Sequence, residues 1–290
     1  MQPYYDVRKF LEKEQISSNH VQDLYVGVYL FFVIVTGILF FSGQDLLLTI
    51  FALTLGETFL ILAAYSSGSP FSQIGAQREL YAAMSFEPIF LLTAIGFYLE
   101  TGSFSVSDIV GSGSVPTVMM AGFLMAFVFG LTMKMRKSPF DLSMSHHAHQ
   151  DLVRGLTTEF SGRTLAMIEI SHWYENIMLL GMVALFFLDG SLLWTTVGLL
   201  AAVLVFLLEI VIDNGFARMT WQTALKSGWA VAVVFGLLNV AIVLYLRGVE
   251  ICHIQRNRLG SSTTMHPAAT DATSRFWHAS HRCTMWKDSA

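Results

Sequence analysis

The sequence predicts an all-α, polytopic integral membrane protein with about seven transmembrane helices and one long polar loop between the fourth and fifth. Three observations predict this. Of 290 residues, 54% are hydrophobic and only 13% charged, against roughly 25% charged in soluble domains, so the apolar excess is too large for one globular core. Seven stretches, approximately 24–41, 46–65, 84–100, 116–134, 165–188, 192–212 and 228–246, approach the ~20 apolar residues that a helix needs to cross a hydrocarbon core about 30 Å thick. Runs such as Leu192 to Ile212 lack the period-two alternation of a membrane strand and favour helices.

The N-terminal arm, residues 1–23, carries Arg8, Lys9 and Lys13 and lacks the apolar core of a signal peptide, so insertion relies on the spans themselves. The transmembrane helical domain is expected over 24–247. Within it the 66–83 loop carries Arg78, the edge and body of the central loop 135–164 carry Lys134, Arg136, Lys137, Arg154 and Arg163, and the 213–227 loop carries Arg218 and Lys226. The alternate loops, 42–45, 101–115 and 189–191, carry no lysine or arginine. Because cytoplasmic loops retain positive charge, this asymmetry predicts a multi-pass protein of the cell inner (cytoplasmic) membrane with the N-terminus and central loop cytoplasmic and the C-terminus outside. From Arg247 onward six basic residues fall on the predicted outer side without any helical or strand period, and 248–290 is expected to be an atypical, disordered tail.

Composition also narrows the chemistry. A net charge of −4, with basic residues confined to particular loops, gives no nucleic-acid signal. Cys252 and Cys283 lie far apart, with no C-x-x-C to hold zinc or an iron–sulfur cluster, so any redox metal is expected on a partner. No glycine-rich phosphate loop or nucleophile motif is present.

The central loop holds Pro139-Phe140-Asp141-Leu142, then Asp151-Leu152-Val153-Arg154-Gly155 and Glu159-Phe160-Ser161-Gly162. In that order these resemble the P-F-D-L, E-L-V-x-G and E-Y-S-G elements of the family that includes subunit 1 of respiratory complex I and the corresponding membrane subunit of energy-converting nickel–iron hydrogenases. Gly75-Ala76-Gln77-Arg78-Glu79 and Ser85-Phe86-Glu87 resemble its G-A-x-R and S-Y-E elements, and Phe216-Ala217-Arg218 with Lys226-Ser227-Gly228-Trp229 resemble its final loop and last span. The resemblance covers about residues 2–247. Where quinone-reducing members are acidic after P-F-D-L, this chain has Ser143-Met144-Ser145-His146-His147-Ala148-His149-Gln150, a form similar to the Ech-type hydrogenases, which take electrons from ferredoxin and use no quinone. The start, Gln2-Pro3-Tyr4-Tyr5-Asp6, resembles the end of the family's first loop, so the family's first helix is expected to be missing.

The resemblance implies a membrane-anchoring and coupling subunit of a ferredoxin-linked energy-converting hydrogenase, linking electron transfer in peripheral subunits to proton or sodium translocation. It implies no cofactor in this chain, with the NiFe centre and iron–sulfur clusters on partner subunits. Those partners are the hydrogenase large and small subunits, a ferredoxin-like iron–sulfur subunit and an antiporter-like membrane subunit, together with the membrane lipid around the spans. A quinone-linked complex I subunit, a stand-alone secondary transporter and a passive anchor are the competing readings.

Charged groups inside spans cost about 2.5–3.5 kcal/mol each on insertion scales and face a cavity or a partner. Span five contains Glu169, His172 and Glu175; Glu169 and His172 share a helix face with Trp173 and Asn176, and Glu175 lies on the i, i+3 diagonal from His172. Two carboxylates flanking an imidazole suit a proton relay ahead of the alternatives, a helix-locking hydrogen-bond cluster or snorkelling to the interface. Glu87, before Pro88, matches the S-Y-E glutamate of the family's polar path, or caps the first turn of span three. Glu209 and Asp213, four apart at the end of span six, are path candidates. Arg78 and Glu79 are expected to pair with such carboxylates.

In the coupling and docking region, Asp141 either caps the next segment or acts with Asp151 and Glu159 in the loop that meets the redox module. His146, His147 and His149 suit interface contacts or a pH-responsive loop better than a metal, for which no further ligands are evident. Glu57, isolated in Leu55-Gly56-Glu57-Thr58, is expected to be protonated, paired with a neighbouring helix, or turned to a partner subunit.

Overall fold

The structure, a computed structural model, describes residues 2–14, 19–111, 120–141 and 155–246. Helix α1 spans Gln2–Glu12, α2 His20–Phe41, α3 Leu46–Ser66, α4 Pro70–Thr101, α5 Val106–Gly111 and α6 Ala121–Lys134. A short 3-10 turn, Gly155–Thr157, precedes α7 (Gly162–Leu185) and α8 (Leu192–Gly215). Helix α9 opens at Trp221–Val231, becomes π-helical over Ala232–Leu237, and the helical run extends to Leu246. Among the described residues there is no strand, and one isolated bridge, Asp45 with Ser105. The chain divides into two units, Met1–Val240 and Ala241–Ala290; of the second, residues 241–246 are described and helical.

The fold class read from the sequence holds. Five helices, α2, α3, α4, α8 and Trp221–Leu246, are long and apolar enough to cross a membrane. Ala121–Lys134 is apolar but shorter, because the predicted 116–134 span begins in undescribed residues. Helix α7 has 24 residues, yet Arg163, Glu169, His172 and Glu175 keep it polar.

Local chemistry sets the ends. Asn19 caps α2 by accepting from Val21 N at 3.1 Å, and Asp45 caps α3 by accepting from Leu47 N at 2.8 Å and Leu48 N at 3.2 Å. Leu46 N donates to Phe104 O at 2.8 Å and Val106 N to Gln44 O at 3.0 Å, tying the α2–α3 turn to the start of α5.

Two expectations are corrected. Residues 66–83 are not a loop: α4 runs unbroken from Pro70, 32 residues long. Pro70 occupies the first helical turn, where its missing N–H costs nothing, and Ser72, Gly75, Ala76, Glu79, Ala82 and Ala83 form a buried stripe at helical spacing. The fall in hydropathy there marks a change in chemistry rather than the end of the helix. It follows that Glu87 and Pro88 lie in the interior of α4, so Glu87 caps nothing. The arm 1–23 likewise contains α1 and the first turn of α2, while the tail 248–290 lies outside the described residues.

The core forms around α3, α4, α6 and α7, where a chain of rings joins Phe86, Phe90, Phe127, Phe186 and Phe97 at centroid separations of 4.7–5.8 Å. A second cluster holds Val26, Tyr29, Leu60, Ile61, Leu156, Phe160, Leu165 and Ile168 under the return of the central loop. Helices α4 and α9 approach so closely that a Cβ on Gly228 would stand 2.8 Å from the Ser85 backbone oxygen. Gly228→Leu is therefore expected to push α9 off α4 and cost about 1–3 kcal/mol, read as a lower unfolding temperature of the detergent-purified protein; an unchanged temperature would contradict this contact.

Candidate functional site

At the end of α6 nearest the central loop, four helices bring ionisable side chains into a buried cluster. Helix α3 supplies Glu57, α4 Glu79, α6 Lys134, and α7 His172 and Glu175; Arg136 enters from the turn after α6. Glu57, Glu79, Lys134 and Glu175 are each 2–3% exposed and Arg136 is 9%. Lys134 Nζ lies 2.6 Å from Glu57 Oε2 and 4.0 Å from Glu175 Oε1, with the Phe86 ring centroid 5.0 Å away. This cation bridges two carboxylates on different helices. Such desolvated pairs are expensive to form and more expensive to break singly.

Arg136 has φ 52°, the left-handed region that non-glycine residues seldom enter. That backbone turns the guanidinium back into the cluster. Its Nε and Nη2 both donate to Glu79 Oε1, at 2.8 and 2.5 Å, Nη2 stands 3.8 Å from Glu57 Oε1, and Nη1 meets His172 Nε2 at 2.7 Å. Tyr29 of α2 completes the lining, its ring 6.3 Å from that of His172 and its hydroxyl beside Glu175.

The first described residues of the central loop are clamped to the α8–α9 connection. Asp213 Oδ2 pairs with Lys137 Nζ at 3.1 Å and its Oδ1 accepts from Ser138 N at 2.9 Å; Ser138 Oγ donates to Phe216 O at 2.7 Å; Met219 N donates to Pro139 O at 3.0 Å; Arg218 Nη2 donates to Asp141 Oδ2 at 2.8 Å. The Ser138–Pro139 peptide is cis. One turn before Asp213, buried Glu209 accepts from Thr132 Oγ1 at 3.0 Å. The loop returns against α4: Ser72 Oγ donates to Ala64 O at 3.1 Å and Leu156 O at 3.4 Å, and a Cβ on Gly75 would overlap the Leu156 backbone.

Of the residues singled out in the sequence, Glu79, His172 and Glu175 thus meet in one cluster, Glu209 and Asp213 lie beside α6 and the clamp, and Asp141 pairs with Arg218, while the segment it was expected to cap lies outside the described residues. Glu79, expected beside the path carboxylates, pairs with Arg136. Glu87 is half-buried and faces Lys134 from farther out. Glu169 and Glu159 are half-buried outside the cluster and Arg78 is exposed. His146, His147, His149 and Asp151 lie outside the described residues. Glu57 takes the second of its three expected states, pairing with a neighbouring helix. Lys134, Arg136 and Tyr29 were missed as site residues; the signal for Lys134 was Glu57 itself, an intramembrane carboxylate that requires a cation. Among the described residues no three His, Cys, Asp or Glu side chains converge to hold a metal.

A family described as NADH dehydrogenase matches residues 1–244. The chain belongs to the NADH dehydrogenase subunit 1 family. This member of the subunit 1 family is 31% identical over 225 residues to hydrogenase-4 component C of Escherichia coli K12, covering 72% of this chain and 69% of that one. It is 28% identical over 219 residues to formate hydrogenlyase subunit 4 of the same strain, 70% and 68% of the two chains. To an NADH-quinone oxidoreductase subunit of Dehalococcoides mccartyi it is 26% identical over 192 residues, 64% of this chain and 53% of that one, so it spans about half the length of that relative. Its fold matches a chain in the structure of the membrane-bound sulfane sulfur reductase, an archaeal respiratory membrane complex, with TM-score 0.75 and 24% identity over 83% of this chain and 86% of that one. The family member is thus a multi-pass membrane protein by its apolar helices and its relatives alike.

Proposed function

We propose that this subunit anchors a ferredoxin-linked, energy-converting NiFe hydrogenase in the cytoplasmic membrane and couples its electron transfer to proton or sodium translocation. Its partners are the hydrogenase large and small subunits, a ferredoxin-like iron–sulfur subunit that docks on the central loop at the cytoplasmic face, and an antiporter-like membrane subunit. The redox centres belong to those partners; this chain supplies acids and bases that respond to them. The observation that carries this reading is the position of Arg136. The residue stands immediately before the clamped start of the docking loop, yet its guanidinium holds Glu79, His172 and, more distantly, Glu57. A shift of the loop that withdrew this cation would leave three carboxylates facing Lys134 alone, and like charges so close in a poorly screened site take up a proton. Loop position and cluster protonation are then two readings of one two-state element.

In membrane vesicles holding the complete assembly, Arg136→Gln is expected to leave dye-linked hydrogenase turnover within twofold of wild type while lowering ion translocation at least tenfold. Translocation at the wild-type level would overturn the coupling role. The 26% identity to a component of an NADH-quinone oxidoreductase favours a second reading, a quinone-linked role, which predicts turnover supported by quinone and blocked by quinone-site inhibitors in the same vesicles.

A further inference from the structure

The cluster contains three carboxylates, Glu57, Glu79 and Glu175, against two permanent cations, Lys134 and Arg136. With His172 neutral, three minus two leaves one uncompensated negative charge among side chains no more than 9% exposed. A site this poorly solvated relieves such an excess by binding a proton.

His172 is excluded as its seat by the arginine. A guanidinium has donors and no acceptor, so the 2.7 Å contact from Arg136 Nη1 to His172 Nε2 requires a lone pair on that nitrogen. The imidazole is then the neutral Nδ1–H tautomer. Protonating it would set two donors, both cationic, against each other at hydrogen-bond distance. Glu79 is excluded for the complementary reason: its Oε1 receives two hydrogen bonds from Arg136, an arrangement that favours the carboxylate. The remaining carboxylates, Glu57 and Glu175, stand on either side of Lys134 at 2.6 and 4.0 Å. One ammonium compensates one of them.

We propose that the exchangeable proton of this cluster is shared by Glu57 and Glu175 across Lys134, and that Arg136 keeps His172 neutral and outside the exchange. The groups facing this pair are Tyr29 from α2, Glu79 and the half-buried Glu87 from α4, Lys134 and Arg136 from the end of α6, and His172 from α7. Ejecting the proton returns the cluster to one net negative charge, and no other bond is made or broken. The inference rests on the coupling reading for its use, but not for its test.

The test is pH-difference infrared spectroscopy of the purified assembly, with and without ring-15N histidine, which reads equilibrium protonation and needs no turnover. Wild type is expected to give one carboxylic-acid C=O difference band assignable to this pair and no imidazolium signal from His172. Glu57→Gln and Glu175→Gln each bring the cluster to two carboxylates and two cations, so each is expected to abolish the band. Glu175→Asp, which keeps the charge, is expected to retain it. Arg136→Gln frees His172 Nε2 and is expected to bring in the imidazolium signal. A band that survives in both glutamine variants, or a His172 signal in wild type, overturns the proposal. A lost band accompanied by normal translocation would instead sink the coupling reading and leave the protonation assignment standing.

Discussion

Lys134→Met is expected to destabilise the protein by roughly 3–5 kcal/mol, the usual cost of removing one partner from a buried ion pair. Glu57 and Glu175 would lose the ammonium that stands between them, and both are buried, at 2% and 3% exposure. Methionine matches the length of the lysine stem and packs on the Phe86 ring, so lost volume contributes little. The double variant Lys134→Met/Glu57→Leu removes both members of the closest pair and is expected to recover most of the lost stability, because apolar replacement of a buried pair is often neutral or better. Recovery of stability without recovery of translocation would separate the electrostatic role of the pair from its packing. Thermal unfolding of the detergent-purified protein measures the stability, and ion uptake by membrane vesicles holding the assembly measures the translocation. A single variant as stable as wild type would show that Lys134 is not the counter-ion of Glu57.

Gly75→Leu is expected to act at the other end of the central loop. The glycine carries no side chain because the backbone of Leu156 occupies that space, and the obstacle is main chain, which cannot rotate away. The overlap is expected to cost about 1–3 kcal/mol and to lift the Gly155–Thr157 turn off α4. Ser72→Ala, which removes the neighbouring hydrogen bonds to Ala64 O and Leu156 O without adding bulk, is expected to cost only about 1 kcal/mol. Limited proteolysis between residues 141 and 155 reads the difference: faster cleavage in Gly75→Leu and near wild-type cleavage in Ser72→Ala. Equal rates in all three proteins would mean that the turn is not held by this contact.

The helical, membrane-spanning architecture was legible in composition and in run length, because a hydrocarbon slab imposes both directly. The path of α4 was not. Its first turns carry Ser72, Gln73, Gln77, Arg78 and Glu79, and average hydropathy cannot tell polar residues that end a helix from polar residues that a helix buries. The stripe of Ser72, Gly75, Ala76 and Glu79 was present in the sequence at helical spacing, and a periodicity test on it would have extended the helix. For the site, carboxylates within spans stood out because they are costly there, which is how Glu57, Glu175 and Glu209 drew notice. Lys134 and Arg136 did not, since positive charge at the end of a span is what membrane orientation ordinarily explains. The contact of Arg136 with His172 depends on one backbone angle, φ 52°, which no sequence pattern encodes.

The length of α4 has a mechanical consequence. At 1.5 Å per residue its 32 residues extend about 48 Å, well beyond a hydrocarbon slab about 30 Å thick. Such a rod must tilt or protrude, and it links the loop anchor at Gly75, the ion pair at Glu79 and the aromatic ladder up to Phe97 in a single stiff lever. Pro88, where the hydrogen-bond ladder loses one rung, is where that lever bends most readily: a push at the Gly75 end is expected to emerge beyond that pivot as a swing of the Phe97 end.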